Sequence, residues 1–120
     1  MQIAGPFHIL IGAYPSTSET IETPVLQGHI CAVGFALHSN TADFAITTKG
    51  ATGTPAQTIF DKTSVSGDAW YYPKPQIHTT AGAAINAQYA QEGVPVFDAI
   101  QILVENANDG DEFDVTFLLD

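Results

Sequence analysis

The stretch that decides the fold class runs from Phe97 to Leu119 and reads FDAIQILVENANDGDEFDVTFLL. One face of its first half carries Phe97, Ala99, Gln101 and Leu103, and the opposite face carries Ile100, Ile102 and Val104. One face of its second half carries Phe113, Val115, Phe117 and Leu119. A side-chain period of two residues predicts a β-strand in each half. The pair Asp109-Gly110 between them tolerates the positive φ angles of a tight turn, so we predict that the two strands form a closing β-hairpin.

Short apolar runs that end in turn residues recur through the rest of the chain. They predict strands over residues 7–14, 20–26, 29–38, 43–48, 57–63 and 70–72. Pro24 indicates an edge or a bulge, because proline cannot donate a ladder hydrogen bond. In the run 29–38 the small residues Ala32, Gly34 and Ala36 share one face, which is typical of a central strand that packs closely on that side. The Ala- and Gly-rich run 78–90 predicts either a helical turn or a long loop.

These runs predict an all-β fold with seven or eight antiparallel strands. A chain of 120 residues fits one domain, so we expect a single β-sandwich domain over residues 1–120. A jelly roll is the topology that we favour, because it packs eight strands of this length into two sheets.

The charge balance excludes several classes of partner. Thirteen acidic residues against three lysines and no arginine give a formal net charge of −10, and eight of the acids lie from Glu92 onward. Such a surface repels phosphates and anionic membranes, so we expect neither nucleic acid nor a membrane as partner. It suits docking onto a basic protein surface. The N-terminus lacks the positive region of a signal peptide, and no apolar stretch is long enough to span a membrane.

Motifs for catalysis or metal binding are missing. The four histidines (His8, His29, His38, His78) do not supply the His-x-His pair of a cupin-type metal site. In the acidic cluster Asp109, Asp111, Glu112 and Asp114, an EF-hand alignment with Gly110 at the sixth position puts Ala107 at a ligand position. A solvated acidic hairpin tip is therefore expected there. Ser66 lacks a nucleophile elbow, and residues 50–54 lack the lysine of a P-loop. We expect no enzyme activity, no metal and no cofactor, and we expect the lone Cys31 to be an inert core residue.

The segment Asp68–Pro75, DAWYYPKP, places three large aromatic residues beside the last lysine of the chain. In a strand, Trp70 and Tyr72 share one face and Tyr71 takes the other. Because Trp and Tyr combine a large apolar area with a polar group, they are enriched at protein interfaces. The segment therefore fits an interface as well as it fits a purely structural core.

This segment, together with HTTAGAAI at residues 78–85 and VPVFDAIQI at residues 94–102, resembles small virion structural proteins of tailed bacteriophages. The resemblance covers Asp68 to about Val104. It implies a jelly-roll-like capsid cement or decoration protein that binds the major capsid protein as a homo-oligomer, dimeric or trimeric, in a virion assembled in the host cytoplasm. The interface residues that it implies are Trp70, Tyr71, Tyr72, Lys74 and His78. Lys74 stands where the family pattern has arginine, and the acidic end of the chain also departs from it.

Two alternatives remain. The chain fits a β-sandwich carbohydrate- or receptor-binding module of a phage tail or fibre, with Tyr14, Tyr71 and Tyr89 as stacking platforms. A cupin-like or hydrolytic enzyme is the other, and the missing motifs weigh against it.

Overall fold

The computed structural model describes residues 2–12, 17–37, 41–50, 55–78, 81, 84–89 and 93–120. Nine strands lie in these ranges: β1 (Gln2–Leu10), β2 (Glu19–Ala36), β3 (Ala42–Thr48), β4 (Thr58–Val65), β5 (Ala69–Tyr71), β6 (Gln76–His78), β7 (Ala84–Tyr89), β8 (Val94–Glu105) and β9 (Glu112–Leu119). In the part of the chain so described, no helix has the length and apolarity needed to cross a membrane.

Seven of the strands form one antiparallel sheet in the order β1-β9-β2-β8-β3-β4, with β5 paired to β2 as a side branch. Among the residues so described, β6 and β7 pair with each other in a second, two-stranded sheet. The all-β prediction with antiparallel strands is therefore confirmed. The jelly-roll topology stays a prediction. It requires two packed sheets, whereas these seven strands belong to one continuous hydrogen-bonded sheet.

Strand β2 is long because it serves both halves of this sheet. Its residues 19–30 pair with β8, and its residues 30–36 pair with β9 on the opposite side. Near the change of partner, Gly28 has a φ of +129°, and a Cβ there would lie 3.0 Å from the carbonyl oxygen of Asp120. His29 and Asp120 exchange two backbone hydrogen bonds of 3.0 and 2.9 Å. Glycine is required here because the chain end approaches the bent strand closely.

The core forms because the sheet folds back on itself. Phe44 on β3 and Phe113 on β9 are separated by β8 and β2 in the sheet, yet their ring centroids are 5.5 Å apart. In a flat sheet three strand spacings would separate them by roughly 14 Å. Phe35 on β2 likewise contacts Phe60 on β4, with 5.3 Å between centroids. The inner faces of the two halves therefore pack against each other.

The alternation predicted at the end of the chain agrees with the observed burial. One face of each of the two predicted strands is buried throughout, with the residues Ile100, Ile102, Val104, Phe113, Val115, Phe117 and Leu119. Phe44 and Ile46 of β3 are buried in the same core. Period-two patterning thus separates the two faces of these strands, and the observed burial shows which face of each lies in the core.

The predicted closing hairpin is wrong. β8 pairs with β2 and β3, whereas β9 pairs with β1 and β2. The connection 106–111 does turn at Asp109-Gly110, but its backbone is bonded to other segments: Ala107 N–H donates to the Thr17 carbonyl (3.0 Å), and Ile11 N–H donates to the Asp111 carbonyl (2.9 Å). Because these bonds carry the loop across the end of the folded sheet, the two strands enter different halves.

Two of the four residues in the acidic cluster, Asp111 in this connection and Asp114 on β9, do not belong to a solvated tip. The carboxylate of Asp111 is buried and accepts a 2.9 Å hydrogen bond from the Asn108 N–H, which closes the turn. Asp114 contacts His8 across strands, with 2.8 Å between Oδ1 and Nδ1. Both carboxylates therefore have a structural partner.

The two strands predicted over 20–26 and 29–38 are one strand, and Pro24 lies at a bulge within it, as expected. The register with β8 shifts between Glu22 and Val25. The Thr23 hydroxyl fills the gap, because it accepts from Ile100 N–H at 3.1 Å and donates to the Pro24 carbonyl at 2.7 Å. This local compensation allows the strand to continue through proline.

Two further expectations need correction. The run 78–90 contains neither a helical turn nor one long loop in its described part, since β7 occupies Ala84–Tyr89 and pairs with β6. Cys31 is partly exposed rather than fully buried, and the register with β9 shifts beside it, between Ile30 and Ala32. A thiol in such an irregularity faces a cleft rather than the core.

Candidate functional site

The aromatic segment forms the short strand β5, which pairs with residues 33–35 of β2 on the side opposite β9. Trp70 lies directly across from Gly34. Just before the strand, Asp68 Oδ1 accepts a 3.1 Å hydrogen bond from the Leu37 backbone N–H. This contact ties down the start of a three-residue strand that has few ladder bonds of its own.

The indole ring of Trp70 lies on the bare backbone of Gly34. A Cβ built on Gly34 would be 2.6 Å from Trp70 Cζ3 and 2.8 Å from Cε3 and Cη2. The expected close packing on the small-residue face of this strand is therefore present, and Trp70 provides it. The side chain remains 48% exposed, so part of the ring is available at the surface.

Tyr71 points the other way and belongs to the core margin. Its ring contacts Phe60 and Phe35, with centroids 5.0 and 5.7 Å apart, and the Lys62 ammonium lies 5.9 Å from its centroid. The predicted alternation of Trp70 and Tyr72 against Tyr71 is confirmed, since Tyr72 is 68% exposed. Tyr71 therefore anchors the segment, while its two neighbours face solvent.

An open groove of about 380 Å³ lies beside Trp70 on the outer face of the sheet. Four strands or their flanks contribute to it: Pro6 from β1, Gly34, Phe35 and Ala36 from β2, Asp68, Ala69 and Trp70 from the β5 segment, and Asp114 and Thr116 from β9. Its described lining holds two carboxylates and no lysine. We call this cavity the Trp70 groove.

His8 sets the electrostatics at one margin of the groove. Its Nδ1 lies 2.8 Å from Asp114 Oδ1, and its Nε2 lies 3.7 Å from Glu112 Oε1. The hydrogen bond with Asp114 is the main cause that raises the pKa of His8 above its ordinary value. Protonation of His8 therefore links β1 to β9 by an ion pair.

A second cleft of about 390 Å³ lies beyond the aromatic segment. Its lining consists of His29, Cys31, Tyr72, Pro73, Lys74, Gly93 and Asp120. The predicted interface residues thus separate: Trp70 lines the Trp70 groove, Tyr71 packs inward, and Tyr72 and Lys74 border the second cleft. His78 ends β6, and its side chain lies outside what the structure describes.

Sequence reasoning missed the groove residues that come from other strands. Pro6, Asp114 and Thr116 lie more than thirty residues from Trp70 in the chain, and no local pattern connects them with it. Gly34 did carry a signal, because a glycine within an otherwise apolar strand marks a close approach of another group. That signal does not name the group that approaches.

The site offers two exposed aromatic side chains, two clefts and a concentration of carboxylates. Among the residues that the structure describes, no three metal-ligating side chains come together in a group that could hold an ion. Comparison with protein-family models, with curated proteins and with solved structures found no match. Such an arrangement can bind through apolar contact, stacking and charge.

Proposed function

We propose that this chain is a virion structural protein that binds the major capsid shell of a tailed bacteriophage as a cement or decoration protein. The observation that carries the proposal is the exposed aromatic pair Trp70 and Tyr72, held on a sheet between two clefts. The same segment carries the resemblance to virion structural proteins. Aromatic side chains of this kind supply most of the energy at protein interfaces when a partner buries them.

The contacts that hold the aromatic segment in place support a role in binding another protein. Trp70 is held by its pairing with Gly34. Tyr71, which lies between Trp70 and Tyr72 in the chain, is held by its contacts with the rings of Phe35 and Phe60. Side chains that are already ordered lose little conformational entropy on binding. A surface of this type suits adhesion to another protein without a chemical step.

Charge supports a basic partner. The chain carries a formal net charge of −10, and Lys49, one of its three lysines, is paired with Glu22 at 2.9 Å.

A homo-oligomer, dimeric or trimeric, would present several copies of the surface at once, so weak contacts would add up through effective concentration.

The proposal is tested by adding the purified chain to particles that lack it and measuring occupancy by sedimentation and electron microscopy. Tyr72→Ala is the informative variant, because Tyr72 is exposed and lies just outside β5. Phe97→Ala is the matched control, since Phe97 is also a large exposed residue (58%) but lies on β8.

We expect Tyr72→Ala to lower occupancy at least tenfold without changing the unfolding midpoint, and Phe97→Ala to bind like the wild type. Absence of the chain from purified particles would refute the proposal. Equal occupancy for wild type and Tyr72→Ala would remove the aromatic segment from it. Light scattering of the free chain separates dimer from trimer.

A carbohydrate- or receptor-binding module of a phage tail or fibre is the second candidate function. The observation in its favour is the open Trp70 groove, where an aromatic ring lies beside polar side chains. Of the platforms expected from the sequence, Tyr71 packs inward, Tyr14 lies outside the described residues, and only the backbone of Tyr89 is described. A glycan array decides this point: binding that Trp70→Ala abolishes would favour the module over the capsid protein.

A further inference from the structure

We infer that the Trp70 groove receives a cationic side chain, arginine or lysine, from a basic segment of the protein partner. This inference rests on the proposed function for the identity of the partner. The binding chemistry itself follows from three features of the groove, namely its aromatic surface, its carboxylates and the charge around it.

The aromatic surface comes first. Trp70 lies against Gly34 on one side, and nearly half of the side chain remains exposed along the groove. Tryptophan is the best of the aromatic residues for binding a cation over its ring, and arginine is the more frequent partner because its planar guanidinium also stacks.

The carboxylates that line the groove come from two different elements. Asp68 precedes β5, and its position is set by the hydrogen bond from Leu37 N–H. Asp114 comes from β9, and its position is set by His8. A guanidinium that lies on Trp70 therefore shares the groove with two carboxylates, and charge-assisted hydrogen bonds are stronger than those between neutral groups.

Charge complementarity favours a cationic side chain as the occupant of the groove. No lysine lies among the described lining residues, two carboxylates do, and the chain as a whole carries a net charge of −10 that attracts cations. A neutral sugar would gain little from that field, whereas a basic protein segment gains in both association rate and specificity. A glycan is accordingly an outcome of the test.

The probe is N-acetyl-arginine amide, with N-acetyl-citrulline amide as its neutral counterpart of nearly the same shape. Trp70 is the sole tryptophan of the chain, so its indole N–H gives one unambiguous cross-peak in a two-dimensional NMR spectrum. We expect saturable shifts of this peak with the arginine compound, at least tenfold weaker binding of the citrulline compound, and weaker arginine binding as salt is raised.

Two variants place the ligand. Thr116→Lys adds a positive charge opposite Gly34, and we expect it to weaken arginine binding at least tenfold. Thr20→Lys adds the same charge near the other end of β2 and should leave binding unchanged. Asp68→Asn keeps an acceptor for Leu37 N–H but removes the charge, so it serves if Thr116→Lys does not fold, and we expect at least threefold weaker binding.

Equal affinity for the arginine and citrulline compounds would overturn the inference, as would equal effects of the two lysine variants. Saturable shifts with N-acetylglucosamine in place of arginine would also overturn it and would favour the carbohydrate module. These measurements use the free chain, so their failure leaves the capsid proposal standing. Absence of the chain from particles would leave a measured arginine site in place.

Discussion

Replacing Gly34 with alanine would place a methyl group under the Trp70 ring, 2.6 Å from its nearest carbon. Ordinary contact between carbon atoms needs about 3.5–4.0 Å, so the ring must retreat by roughly 1 Å. Gly34 is not among the glycines with positive φ, so backbone strain contributes nothing. The cost therefore arises from the contact with Trp70.

The magnitude follows from two opposing effects. Overpacking of this kind costs about 1–3 kcal/mol. Alanine recovers about 0.5–1 kcal/mol, because glycine loses more conformational freedom when a strand forms. We expect Gly34→Ala to lower the free energy of unfolding by roughly 0–2.5 kcal/mol in the wild-type background. In a Trp70→Ala background the clash is absent, so the same change should stabilise by about 0.5–1 kcal/mol.

Urea unfolding of the wild type, both single variants and the double variant, followed by far-UV circular dichroism, gives the coupling energy of this double-mutant cycle. We expect about 1–3 kcal/mol of coupling. Tryptophan fluorescence of Gly34→Ala should also shift as the ring leaves the strand. Equal costs of Gly34→Ala with and without Trp70 would refute the reasoning, because the ring would then not be what the methyl group meets.

Three other perturbations test the core and the charged contacts. Phe44→Ala should lower the free energy of unfolding by about 3–5 kcal/mol in the same urea assay, because the buried ring packs between the two halves of the sheet. A loss below about 1 kcal/mol would contradict the packing of the two halves against each other. His8→Gln should lower the melting temperature at pH 6 and leave it equal to that of the wild type at pH 9. The hydrogen bond with Asp114 raises the pKa of His8, so the stability that His8 contributes is full below its ordinary pKa and is lost as pH rises through the pKa of the folded state. A difference in melting temperature that persists at pH 9 would contradict the ion pair. Asp43→Asn should lower the melting temperature at pH 7 but not in acid. Hydrogen bonds from the Ser64 N–H and the Asn106 amide lower the pKa of Asp43, so the stability that its carboxylate contributes is lost as pH falls through the pKa of the folded state. A difference in melting temperature that stays constant at all pH values would contradict this role of Asp43.

Patterns within single segments were sufficient for the class of fold and for the direction of many side chains. Alternation with a period of two placed Phe113, Val115 and Phe117 in the core, and it separated Trp70 from Tyr71 within one short strand. Side chains on a strand must alternate between its faces, so apolar spacing reports which face is buried. Pro24 indicated an edge or a bulge for an equally local reason, its missing N–H, and the structure has a bulge there.

Strand partners were beyond local patterns, because the hydrogen-bonding groups of every backbone are the same. Asp109-Gly110 was correctly read as a turn, yet β8 and β9 pair with different parts of β2. That choice depends on the bend near Gly28 and on the bonds that Ile11 and Thr17 make with the connection 106–111. The Trp70 groove has the same origin, since β1, β2, β5 and β9 meet there from distant parts of the chain. Composition and alternation establish an acidic all-β chain with an aromatic strand. Only the tertiary structure brings Asp114 into the same groove as Trp70, because the two residues meet through long-range strand pairing rather than through neighbouring positions in the chain.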